Sequence, residues 1–164
     1  MRLGSADGPV VQLEPIGYQY PARASKVTER DWDANWLIIR GTVTPDDRRG
    51  WSFTDACLTT FEARELADWL RGVALGEVLP SPFETGSLEG LLWFTEPCLA
   101  FSVASRSGDD VTIRVHLSLE ALPAGVSSKR PELYEHFVLV STTSSGVTRA
   151  VGEWMQELAA FPVR

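Results

Sequence analysis

From Val111 to Leu119 every second residue is apolar. Val111, Ile113, Val115, Leu117 and Leu119 fall on one face; Thr112, Arg114, His116, Ser118 and Glu120 fall on the other. A period of two marks a strand with one face on a core and one in water, the situation antiparallel sheets provide. Apolar runs of strand length recur at residues 36–43, 51–54, 88–94, 98–104 and 134–140. Two shorter extended pieces, 10–13 and 18–20, are broken by Pro15 and Pro21. Helical spacing occurs twice. Thr59 and Glu62 have the capping-box spacing, and Leu66, Trp69, Leu70 and Val73 follow on one face, with Gly72 and Gly76 as terminators. Opposite them Arg64, Asp68 and Arg71 form a solvated face. Val147, Val151, Trp154, Met155, Leu158 and Phe161 make the second helix, stopped by Pro162. Strands and helices do not alternate. The pattern predicts an α+β fold: an antiparallel sheet, as a sandwich or half-barrel of about seven strands, with two amphipathic helices packed on it.

A chain of 164 residues fits one domain. Gly4, Gly8 and Pro9 set off residues 1–9 as a loose leader, leaving 10–164 as a single α+β domain. Polar loops are expected at 22–30, 45–50, 80–86 and 123–131. The longest stretch without a formal charge, residues 136–148, holds six Ser or Thr in 13 positions. It is too short and too polar to span a bilayer, and the first residues lack the apolar region of a secretory signal. A cytoplasmic protein without membrane contact is expected. Cys57 and Cys98 are then reduced thiols.

The net charge of −7 is concentrated. Residues 51–96 carry eight acids against Arg64 and Arg71, and no base occurs between Arg71 and Arg106. Glu77, Glu84, Glu89 and Glu96 fall in that stretch. Phosphate contacts need clustered Lys and Arg, so direct nucleic-acid binding is disfavoured and a basic protein partner suits the chain better. Solubility alone also accounts for a charge of this size.

Phe53-Thr54-Asp55-Ala56-Cys57-Leu58 is echoed by Phe94-Thr95-Glu96-Pro97-Cys98-Leu99, identical at four of six positions with acid for acid at a fifth. If the two are related strand–corner–strand elements, Asp55 and Glu96 share one end of the fold and both Cys-Leu pairs point inward. Coincidence between two tight turns is the competing explanation.

Catalytic and metal signatures are sparse. Asp31-Trp32-Asp33-Ala34-Asn35 opens like a calcium loop, but Trp36 replaces the turn glycine and Thr42 the bidentate Glu. Asp31 and Asp33 are better read as fixing the turn into the next strand. His116 and His136 lie 20 residues apart on separate strands, with Glu120 a conceivable carboxylate partner for His116. Surface or edge histidines are the commoner reading. No nucleophile elbow, phosphate loop or Cys-x-x-Cys is present. No catalytic residue, metal or cofactor is expected, and the chain reads as a non-enzyme.

Gly17-Tyr18-Gln19-Tyr20-Pro21, Asp33-Ala34-Asn35-Trp36-Leu37, residues 53–60 with Glu62 and Trp69-Leu70, residues 94–99, and the terminal helix through Phe161-Pro162 form an ordered series. The series, over roughly residues 17–162, resembles the WapI-type immunity proteins, which neutralise the toxic C-terminal domain of a contact-delivered bacterial toxin. The resemblance implies stoichiometric binding of a cognate toxin domain, with no catalytic residues to carry over. For a basic, nuclease-like toxin, Asp55, Glu77, Glu84, Glu89 and Glu96 are the candidate partner-binding residues. The alternative is a small-ligand-binding or hydrolytic domain, with His116, His136 and Glu120 in its pocket.

Overall fold

The computed structural model describes residues 1–5, 7–21, 32–46, 49–127 and 131–164. Asp31, the whole of the loop at 22–30, and residues 128–130 lie outside the described residues. The described chain is α+β, with eight strands in two four-stranded antiparallel sheets. β1 (Arg2–Gly4), β2 (Val10–Tyr18), β3 (Trp36–Thr44) and β4 (Trp51–Thr59) form the first sheet in chain order. β5 (Leu92–Trp93), β6 (Leu99–Ser107), β7 (Asp110–Leu117) and β8 (Phe137–Thr143) form the second. A long helix follows the last strand of each: α1 (Thr60–Leu75) and α3 (Ser144–Leu158), with a one-turn helix α2 (Ala124–Ser127) between β7 and β8. The molecule is therefore two meander-plus-helix halves, and α1 packs on α3. One continuous core draws on both sheets and both long helices: Leu13, Leu37, Ile39 and Leu58; Phe101, Ile113 and Val115; Leu66, Leu70 and Trp154.

Local chemistry explains the helix ends. The Thr59 hydroxyl accepts from the Glu62 N–H at 3.2 Å, and the Glu62 carboxylate accepts from the Thr59 N–H at 2.8 Å. Both free donors at the start of α1 are satisfied reciprocally. Gly76 ends the helix at φ 79°, a left-handed cap that a side chain resists. At the start of α3 the Thr143 hydroxyl accepts from the Gly146 N–H at 3.1 Å, without a reciprocal partner.

Several sequence expectations change. Among the described residues the strands number eight, and the four-residue α2 adds a third helix. β2 continues through Pro15 because β1 flanks only Val10–Gln12, and a bulge at Ile16 absorbs the proline. Residues 88–94 contribute only the two-residue β5. The rest of 88–94 is turn or irregular chain; ahead of it the Ser81 N–H donates to the Val103 C=O of β6 at 3.0 Å. Residues 1–4 of the expected loose leader are ordered: Met1 is buried, β1 pairs with β2, and the terminal amine is ion-paired to Glu157 at 2.8 Å. A buried ammonium needs a counter-charge, and Glu157 of α3 provides it.

Candidate functional site

The outer face of β7 is not all in water. Loop 80–87 brings Phe83 against it, and His116 is fully buried among Phe83, Tyr134 and Phe137, with ring centroids 5.2–6.4 Å away. Its Nδ1 lies 2.7 Å from the Tyr134 carbonyl, which can only accept, so Nδ1 carries the proton. Nε2 then accepts from the Ser102 hydroxyl at 3.0 Å. Burial lowers the His116 pKa to about 4; the Tyr134 hydrogen bond opposes this and the nearby Arg114 adds to it. Both ring nitrogens are occupied, and the site is packed shut. His116 is a core residue rather than the surface or edge histidine expected.

His136 lies elsewhere. Its ring lies tilted at 5.9 Å from that of Trp51, and it lines a groove of about 740 Å³ with Pro123, Phe137 and Leu139. Glu120 lies in a third place, a separate recess. The three pocket candidates do not converge on one cavity.

The carboxylates do converge in part. At residues 55–58 β4 bulges: Leu37 pairs with Leu58 and Ile39 with Asp55, so β4 passes two residues where β3 passes one. Such a bulge re-aims side chains, and here Asp55 and Ala56 both line a recess of about 240 Å³. The opposite wall comes from the open end of the β6–β7 hairpin, closed by a Ser118 N–H donated to Cys98 C=O at 2.9 Å. Glu96 stands just before β6 and Glu120 just after β7; Gln19 and Trp36 complete the lining. Trp51 holds the two sheets together beside it, its indole N–H donating to Ala121 C=O at 2.9 Å.

Burial, then the charges of Asp55 and Glu120, raise the Glu96 pKa. Among the described residues no Lys or Arg forms an ion pair with any of the three. The recess is thus a pre-formed pocket of negative potential suited to a cationic group. Among the described residues no group of His, Cys, Asp and Glu has metal-binding geometry. Asn35, in the calcium-like segment, spends its side chain on Thr60 and the Arg164 backbone.

The repeated hexapeptides explain the convergence, with one change to the expectation. They sit in different sheets, and the first forms a bulged strand instead of a corner. Their acids still meet in the recess, and both Cys-Leu pairs are fully buried. Glu77, Glu84 and Glu89 lie exposed on the segment between α1 and β5 and do not line the recess. Glu120 belongs to the acidic set, which its place on an alternating strand concealed.

The sequence profile of the immunity protein WapI-like family matches residues 2–162. The chain belongs to this family. Membership assigns an immunity role and, with it, a toxin as partner. No curated protein matches the chain significantly. The family match takes in both halves of the fold and every wall of the acidic recess.

Proposed function

We propose that the chain neutralises a cognate toxin C-terminal domain by binding it one-to-one, in the cytoplasm of the producing cell and without turnover. Asp55, Glu96 and Glu120 receive a Lys or Arg of a basic, nuclease-like domain. Glu77, Glu84 and Glu89 add to the negative field that steers the approach. The observation that carries this reading is the recess itself: three carboxylates share a cavity with no cation among the described residues to balance them. Like charges held together in the free protein are relieved when a partner supplies the opposite charge.

The test is association with the toxin C-terminal domain encoded beside this chain, followed by stopped-flow at several salt concentrations. Asp55→Asn and Glu96→Gln are expected to weaken binding at least tenfold, while stabilising the free protein by about 0.5 kcal/mol. Glu77→Gln, Glu84→Gln and Glu89→Gln together should slow association and flatten its salt dependence, leaving the dissociation rate alone. Unchanged affinity after neutralising the recess would remove it from the interface. Absence of any complex would remove toxin binding.

A further inference from the structure

We propose that the groove between the start of α1 and β5 docks an arginine side chain of the partner, its guanidinium stacked on Trp93 and paired with Glu65. The inference rests on the toxin-binding reading above and adds a second contact to it. Glu62 and Glu65 of α1 form one wall and residues 91–95 the other, around a volume of about 370 Å³. Leu91 and Leu92 are half-buried, whereas Trp93 is 51% exposed. Trp51 and Trp154 donate to carbonyls, and Trp32 and Trp69 pack on phenyl rings. Among the described residues Trp93 does neither. A large aromatic left open in this way is the kind of side chain that carries binding energy at interfaces.

The surroundings select a cation. Glu62 spends its carboxylate on the Thr59 and Thr95 N–H groups. Glu65 is exposed and forms no ion pair among the described residues. Among the described residues no base lines the groove. Every lining residue lies in the stretch 51–96, which carries eight acids against two bases. A guanidinium fits each feature: its flat face stacks on the indole, its forked N–H groups match the carboxylate, and its aliphatic stem covers the leucines. An ammonium would reach Glu65 but has no planar face for Trp93. The groove also adjoins the acidic recess, since Trp93, Phe94 and Thr95 line the one and Glu96 the other. One basic partner surface therefore reaches both.

The experiment measures association and dissociation rates with the toxin C-terminal domain encoded beside this chain. Wild type is compared with Trp93→Ala, Trp93→Phe, Glu65→Gln and the double variant Trp93→Ala/Glu65→Gln. Both side chains are exposed, so melting temperatures should stay within about 2 °C of wild type. Trp93→Ala should weaken binding about 30-fold, chiefly through faster dissociation, and Trp93→Phe should lose less. Glu65→Gln should cost about tenfold, and the double variant less than the product of the single losses, because both residues hold one group. Replacing the toxin's arginines by lysine one at a time should find one whose effect vanishes in the Trp93→Ala background. Full affinity in Trp93→Ala would overturn the groove whatever the recess variants do; the recess then stands or falls on Asp55→Asn and Glu96→Gln alone. Single losses that simply multiply, or coupling of Trp93 to no toxin arginine, would overturn the shared guanidinium. Absence of any complex overturns both the groove and the reading it rests on.

Discussion

At the scale of single residues His116 has the sharpest consequence. In the unfolded chain it takes a proton near pH 6.5, whereas in the fold it stays neutral down to about pH 4. Between those values the unfolded state binds more protons, so acidification draws the equilibrium toward unfolding. His116 costs no stability above pH 6.5; as pH falls to 4 it removes roughly 2–4 kcal/mol. Urea unfolding of wild type and His116→Phe between pH 7.5 and 4 should show the steeper loss in wild type. Parallel profiles would mean that His116 protonates without cost. Ser102→Ala should destabilise by about 1–2 kcal/mol at pH 7, because Nε2 loses its donor where no water reaches. Urea unfolding of Ser102→Ala above pH 7, where His116 is mostly neutral folded and unfolded, reads this loss apart from the titration.

At the scale of elements, Glu62 does more than complete a capping box. One carboxylate oxygen accepts from Thr59; the other accepts from the Thr95 N–H at 2.7 Å, next to the recess residue Glu96. The start of α1 is thereby tied to the turn before β6, across the sheet boundary. Thr59→Ala should cost about 1 kcal/mol, as N-caps do. Glu62→Ala strips partners from two backbone donors and should cost about 2–3 kcal/mol. Equal costs in chemical denaturation would show that the Thr95 bond adds nothing. A close approach within the first sheet is equally demanding. Phe53 lies directly over Gly41, its partner in register, so a Cβ at Gly41 would collide with the ring.

At the scale of the whole molecule, each half resembles a complete unit, yet neither has its own core. α3 lies against β1, β2 and β8, and the buried Trp154 indole donates to the Ala63 carbonyl of α1 at 2.7 Å. The two halves should unfold together, in one transition seen alike by fluorescence and circular dichroism. Trp154→Phe keeps most of the buried surface and should cost about 1–2 kcal/mol; Trp154→Ala leaves a cavity and should cost about 3–5 kcal/mol. Two separated transitions in wild type would show that the halves fold independently.

Local chemistry was legible in the sequence because its causes are local. An apolar run located β3, a period of two β7, and helical spacing α1 and α3, and the Thr59–Glu62 spacing placed the start of α1 to the residue. The hexapeptide echo anticipated that Asp55 and Glu96 share one end of the fold. What needed the tertiary structure was everything set by pairing at a distance. Pro15 reads as a strand breaker until the short reach of β1 is known. The outer face of β7 reads as solvated until loop 80–87 covers it. Glu120 reads as a carboxylate partner for His116 until the β6–β7 hairpin ends opposite the β4 bulge. Alternation in a chain states which residues share a face; which faces are then covered, and which charges meet, depends on contacts between segments far apart in sequence.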